Sequence, residues 1–451
     1  MENTNAKKGI SRRRFIFSTA AAGAGLVFAP RVLGEAAATS GSKELNVALI
    51  GAGAQGNVLL NACLNIPGVR FKAVCDIWES YSLKKTVRLL KAYKHEANGY
   101  TDYREMLAAE KDIDAAIVAT PDFMHSEHAC ACLEAGLNVY CEKEMSNTLE
   151  GARKMVETAR KTGKLLQIGH QRRSNPIYLF SQEKILNDAH LIGKITTING
   201  QWNRSTAACR DITVTDKYKI DEATLQKYGY TSMEQFLNWR WYKGMGGGPI
   251  VDLGSHQIDI YSWFLGTNPK SVVASGGIDY WQGRQWYDNV MAIYEYVTPA
   301  GTVRALYQTL TTNSSNGYFE SFLGDKGTLL ISEAPNRSSI YREAWVPEQE
   351  WDVFVKKGYI AKKEVPVKEK SDLADSRASE TPPEYNLLVE MNKPAHQPHL
   401  ENFFESVCSG GKVKLNCPAE VGYETAVTVL KVNDAVEAAR KLDFKPEEFK
   451  V

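Results

Sequence analysis

The run Lys43 to Ile50 (KELNVALI) ends in Gly51-Ala52-Gly53-Ala54-Gln55-Gly56 and passes into a helical pattern from Asn57 to Leu64. No other feature constrains the fold as tightly. A first glycine makes the tight turn, a second lets backbone approach a pyrophosphate, and a third lets the helix pack on the strand. The helix start then offers unpaired N–H groups to an anion. A second strand, Val69 to Cys75, ends in Asp76, 20 residues beyond Gly56. A carboxylate there accepts hydrogen bonds from both adenosine ribose hydroxyls and repels a 2'-phosphate, which favours NAD over NADP. A strand-end cap is the alternative role for Asp76.

The alternation continues through helices Trp78 to Tyr93 and Tyr103 to Ala109, strand Ala115 to Ala119 and helix His125 to Ala135. Strand Asn138 to Cys141, helix Thr148 to Lys161 and strand Leu165 to Gly169 complete it. Strands separated by helices imply a doubly wound parallel sheet with ligand at the carboxyl ends of its strands. Thr120, Pro121, Glu142, Lys143 and His170 fall at those ends. The chain carries 54 Lys+Arg against 53 Asp+Glu, a balance that argues against a nucleic-acid partner. Its 8 cysteines form no CxxC pair and read mostly as buried thiols.

The balanced charge conceals an uneven start. Ser11-Arg12-Arg13-Arg14-Phe15-Ile16 precedes a short apolar run from Phe17 to Pro30 and an Ala-rich stretch, the pattern of a twin-arginine export signal over residues 1–40. An uncleaved signal acting as a membrane anchor is the alternative, although the run is shorter than the roughly 20 apolar residues of a spanning helix. Cleavage after Ala38 would leave 48 basic against 51 acidic side chains, a mildly acidic periplasmic protein.

The stretches GAGAQG (51–56), ATPDFMH (119–125), CEKEMS (141–146), GHQRRSNP (169–176) and GGGPIVDLGSHQIDIYSWFLG (246–266) occur in order along the chain. In them it resembles the glucose-fructose oxidoreductase / inositol dehydrogenase (Gfo/Idh/MocA) family. The resemblance implies an N-terminal Rossmann domain, a C-terminal α/β domain with a large, mostly antiparallel open sheet, and a homo-oligomer built through that sheet. The family's E-K-P lysine falls on Lys143, with Glu144 standing where proline is usual. The family's second-domain Asp and His fall on Asp252 and His256. Cofactor contacts are expected from Gly51, Gly53, Ala54, Gln55, Gly56, Asp76, Thr120, Pro121, His125, Glu142, Lys143 and Arg172.

Hydride transfer needs a group to take the alcohol proton and a cation or donor to hold the oxygen. His256 suits the first role, Lys143 the second, and Asp252 can orient a partner or bind a hydroxyl. Asp252, His256 and Asp259 share one helical face. With no second His in HxxxH register, a metal site is not expected, and Asp259 reads as structural. His170 and Arg173 follow the last Rossmann strand, where they could touch substrate or form a solvated basic turn. Trp202, Arg204 and Tyr287 belong to aromatic, amide-rich segments suited to sugar faces.

The expected organisation is a Rossmann domain at 43–175, a substrate and oligomerisation domain at 190–335, an irregular arm at 336–398 and C-terminal helices at 399–445 packing back on the body. The function expected is a periplasmic NAD-dependent oxidoreductase acting on a hydroxyl of a sugar, glycoside or cyclitol. Nicotinamide cofactors are scarce outside the cytoplasm, so the dinucleotide should be tightly bound and recycled. The alternative is an NAD-dependent glycosidase working by transient oxidation, elimination, hydration and reduction. A non-catalytic sugar-binding module is the third possibility.

Overall fold

A computed structural model describes residues 44–363 and 380–451, which belong to one compact unit. The expected export signal, residues 1–40, and residues 364–379 of the expected arm lie outside the described residues.

The first sheet is parallel. It contains β1 (Leu45–Ile50), β2 (Val69–Cys75), β3 (Asn98–Tyr100), β4 (Ala115–Val118), β5 (Asn138–Cys141) and β6 (Leu166–Ile168), in the order β3-β2-β1-β4-β5-β6. Helices α1 (Ala54–Cys63), α2 (Lys84–Ala92), α3 (Tyr103–Ala109), α4 (Asp122–Glu134) and α5 (Leu149–Thr162) make the crossovers. Buried runs such as LNVALI and AAIV form the central strands because both faces of the sheet are covered. Strand order reverses between β1 and β4, which opens a crevice at their carboxyl ends. β3 was not expected, since three residues carry no periodicity of their own and its ladder with β2 supplies the register. Helices α1 and α4 start three residues earlier than their apolar pattern suggests, because their first turns face the crevice rather than the core.

After α6 (Pro176–Phe180) comes the second sheet, opened by β7 (Ile195–Asn203). Short helices α7 (Glu222–Lys227) and α8 (Met233–Leu237) precede the long α9 (Gly248–Leu265). The sheet continues with β8 (Ser271–Gly277), β9 (Asn289–Thr298), β10 (Gly301–Leu310), β11 (Tyr318–Gly324) and β12 (Gly327–Ile331). The arm expected at 336–398 is not irregular throughout. It supplies β13 (Ser339–Arg342), α10 (Glu348–Lys356), β14 (Ile360–Lys362) and β15 (Glu384–Leu387), which extend one edge of the sheet. These strands are three or four residues long, too short to show alternation, so they are established by pairing outward from β12, β13 on β12, β15 on β13 and β14 on β15. With β16 (Leu442–Asp443) the sheet has ten strands, in the order β14-β15-β13-β12-β11-β7-β10-β9-β8-β16, antiparallel except where β7 meets β10.

One face of this sheet packs on α9 and on α12 (Ala419–Ala438), through Tyr261, Tyr294, Tyr296, Tyr307 and Phe322. α11 (Gln397–Cys408) lies against α1 and β5 and joins the Rossmann core through Leu400, Phe403 and Phe404. The other sheet face leaves Val273, Met291, Ile293, Val297 and Leu306 exposed. Seven of the eight cysteines are buried, Cys408 being exposed.

Candidate active site

The loop after β1 is shaped for an anion. Gly51 has φ +92°, and a Cβ there would lie 2.6 Å from the Ala119 backbone, so the end of β4 crosses directly over it. A Cβ on Gly56 would fall 1.9 Å from the Gly51 carbonyl oxygen, an approach of helix to strand that only glycine allows. Gly53 differs, because nothing lies within 4 Å of where its Cβ would be. That open space sits before the N-terminus of α1, where unpaired N–H groups face the cleft. Across it, Asp76 accepts from Ala52 N–H through Oδ2 and from Trp78 N–H through Oδ1, each at 2.7 Å. Burial raises its carboxyl and the two N–H donors oppose that. Each oxygen keeps a lone pair for a ribose hydroxyl. The open cradle and the anchored carboxylate together fit a dinucleotide with an unmodified adenosine ribose.

From this end a cleft of about 1220 Å³ runs along the sheet to the start of α9, lined by Gly51, Gly53, Ala54, Gln55, Asp76, Thr120, Pro121 and Glu142 among others. Gln55 Nε2 donates to Glu142 Oε1 at 3.1 Å and meets His396 Nε2 at 3.0 Å, which joins the post-β1 and post-β5 loops to the segment before α11.

Lys143, more than a hundred residues from Asp252 and His256 in sequence, meets them at the far end of the cleft. Lys143 Nζ donates to the Asp252 carbonyl oxygen and lies 3.3 Å from its Oδ1. Arg240, in the turn before α9, donates through Nε to the same Oδ1 at 3.2 Å. Burial pushes the Asp252 carboxyl upward, but Lys143, Arg240 and Arg204 outweigh it and hold it well below the usual range. The helix-interior carboxylate is therefore ionised and fixes two cations at the cleft wall. His256 is 8% exposed and packs on Trp202 with ring centroids 5.3 Å apart. Burial, then the charges of Lys143 and Arg172, lowers its imidazole well below the ordinary value, so the ring is neutral. Trp202 and Arg204 line the same wall, with the guanidinium 5.3 Å from the indole.

Several expected site residues lie elsewhere. Arg172, expected at the cofactor, is 1% exposed and ion-paired with Glu320 and with Glu333, the latter at 2.7 Å, so its charge is spent inside the second sheet. Arg173 is held by Asp259 through Nε and Nη2 at 2.7–3.0 Å, which makes both partners structural. His170 is buried outside the cleft lining, and neither ring nitrogen has a hydrogen-bond partner. Tyr287 packs on the main core instead of facing the cleft. His125 lines the cleft but places its ring nitrogens 2.7 Å from the Thr120 and Glu144 carbonyl oxygens, bracing two loops. Sequence alone could not foresee these partners, which sit up to 161 residues away.

Other cleft residues carried no sequence signal of their role. Asp122, the first residue of α4, is 5% exposed and lines the cleft. The insertion between β7 and α9 roofs the adenosine end, where Trp78 Nε1 donates to Tyr218 O at 2.5 Å and Tyr81 meets Tyr218 edge to face at 5.1 Å. Its own apolar cluster, Leu225, Tyr230, Met233, Trp239 and Met245, packs on Ile77, Trp78 and Phe123 of the Rossmann half. Among the described residues no three His, Cys, Asp or Glu side chains gather as a metal site.

Two family models match the chain. One, an oxidoreductase family with an NAD-binding Rossmann fold, covers residues 45–170, and the other, the oxidoreductase family's C-terminal alpha/beta domain, covers 218–442. D-glucoside 3-dehydrogenase of Escherichia coli (strain K12) is 31% identical over 226 residues, 50% of this chain and 55% of that protein. Inositol 2-dehydrogenase of Salmonella paratyphi B is 27% identical over 231 residues, 51% of this chain and 56% of that protein. The chain spans about half the length of these curated relatives. The WlbA dehydrogenase from Bordetella pertussis, solved with NADH and UDP-GlcNAcA, shares the fold at a TM-score of 0.63 and 16% identity, covering 89% of this chain and 98% of that one.

Proposed function

This chain belongs to the Gfo/Idh/MocA oxidoreductase family with its NAD-binding Rossmann fold, and from that membership we propose that it oxidises a secondary hydroxyl of a sugar, glycoside or cyclitol with bound NAD. The observation that carries the reading is the meeting of Lys143, Asp252 and His256 at one end of a cleft whose other end is a dinucleotide cradle. The dehydrogenases of glucoside and inositol among its relatives agree with a polyhydroxylated substrate.

Bound NAD supplies the hydride acceptor. Lys143, held on Asp252, has ammonium hydrogens left to hold the substrate oxygen and polarise its bond to carbon. Neutral His256 accepts a hydrogen bond or a proton from a hydroxyl, and Trp202, itself stacked on Tyr318, backs the imidazole ring.

The roof over the adenosine end supports retention of the cofactor. The segment that carries it is tied down by Tyr228 Oη donating to Thr101 O at 2.9 Å and by Arg284, whose guanidinium lies 3.9 Å from the Trp241 ring and 4.1 Å from the Trp281 ring. Retention would suit export by the twin-arginine pattern of residues 11–16 and a periplasmic site of action, and the exposed apolar face of the second sheet would suit a homo-oligomer. In the test, dinucleotide is released by heat from the purified protein, and glycosides and inositols are screened for reduction of the bound cofactor. No dinucleotide in the extract together with no binding of added NAD would overturn the reading. Aglycone release from an aryl glycoside without net keto-sugar would replace it with hydrolysis through transient oxidation.

A further inference from the structure

Asp122 is a carboxyl that the fold buries without pairing. It follows Pro121 at the start of α4, is 5% exposed, and lines the cleft beside Lys143, Arg240 and Asp252. Among the described residues no hydrogen bond reaches it, whereas Asp252 is bonded by both cations and Glu142 by Gln55 and its neighbour's N–H. A buried carboxyl left without a partner in a ligand cleft is placed to meet a ligand's hydrogen-bonding group. We infer that Asp122 is an acid–base residue of this site, the group on which the substrate's hydroxyl proton comes to rest during oxidation and from which it returns during reduction.

The inference rests on the proposed function. In the step, the C–H electron pair leaves carbon as hydride for the oxidised nicotinamide, the O–H pair becomes the second carbonyl bond, and the proton ends on a carboxylate oxygen of Asp122. Of the cleft groups able to take that proton, Asp122 and the neutral His256 form no ion pair among the described residues, and their surroundings separate them. His256 is kept neutral by burial and by Lys143 and Arg172, so it can pass a proton but holds one poorly. Around Asp122, burial and the carboxylates of Asp252 and Glu142 favour the protonated form, while Lys143 and Arg240 favour the ionised one. The balance brings its carboxyl to about 7, where a group gives and takes protons with equal ease near neutral pH. The sequence concealed this role, because the apolar pattern starts the helix at His125 and leaves Asp122 in the turn before it.

The test follows single-turnover reduction of the bound dinucleotide against pH, using a sugar found active in the screen above. In the native chain the rate should rise through a limb near pH 7. D122N should lose the limb and slow the step by about 100-fold, and D122E should keep a limb at shifted pH. H256Q should leave the limb in place. A limb unchanged in D122N, or lost in H256Q alone, overturns the inference. Carbon-13 NMR of aspartate carboxyls in the native holoprotein reads the same group without turnover, one resonance titrating near 7 and missing from D122N being expected. If every aspartate titrates below about pH 5.5, a range closer to ordinary carboxyls, the inference fails whatever the substrate. If no sugar reduces the bound dinucleotide, the proposed function fails instead.

Discussion

At the residue scale, the site separates charges that act from charges that are already spent. Lys143 is anchored by Asp252 but retains donors, so Lys143→Ala should weaken dinucleotide binding only modestly and lower the rate of hydride transfer by roughly 100-fold or more. Equilibrium titration with NADH and single-turnover kinetics check the two halves of that statement. Glu144, where the family usually has proline, makes a different prediction. Its side chain is fully buried, with Oε1 accepting from Met145 N–H at 2.9 Å and Oε2 without a partner. Burial, opposed by that N–H, raises the carboxyl from an ordinary 4.5 to about 8. Between those values the folded chain holds a proton that the unfolded chain has released, so this group makes stability fall as pH rises through the window. Glu144→Gln removes the titration. It should match the parent near the lower limit and exceed it near pH 8, gaining up to about 1.4 kcal/mol per pH unit in between, as read from urea unfolding at both pH values.

At the scale of elements, the post-β1 loop shows that three glycines of one motif do three jobs. Gly56→Ala would drive a Cβ into the Gly51 carbonyl, so it should destabilise the fold by about 1–3 kcal/mol and weaken dinucleotide binding with it. Gly53→Ala meets no protein atom, so thermal unfolding of the cofactor-free chain should be nearly unchanged while NAD affinity drops, because the new methyl occupies the space a pyrophosphate needs. Parallel unfolding and NAD titration of both variants test the contrast. The motif was legible because each glycine answers to local backbone geometry. The roof between β7 and α9 was not, since its short helices are held by contacts with Trp78, Thr101 and Phe123 that no local period announces. The same holds for β13 to β15, which exist through pairing at a sheet edge.

At the scale of the whole molecule, the second sheet covers one face with α9 and α12 and leaves an alternating apolar stripe on the other. Met291 and Ile293 on β9 point the same way and are 49% and 44% exposed, next to Val273 and Leu306 on the flanking strands. Such a patch on a folded protein marks an interaction surface. If the stripe joins copies of this chain, Met291→Lys with Ile293→Lys should convert the oligomer to monomers in light scattering while leaving NAD binding in place. An unchanged mass would assign the oligomer to another surface or the native chain to a monomer.

What the sequence determined by itself was whatever depends on near neighbours, the parallel αβ alternation and the glycine loop with its acidic partner at Asp76, while the expectation that Lys143, Asp252 and His256 belong to one site came from the family resemblance. What only the tertiary structure decided was which charges remain available. Arg172 and Arg173 read as ligand-binding cations until Glu320, Glu333 and Asp259 are brought against them, and Asp122 reads as part of the turn before a helix until the cleft closes round it unpaired. The physical reason is that glycine geometry and hydrophobic period are local properties of the chain, whereas the desolvation and pairing of a charge depend on groups that arrive from distant segments.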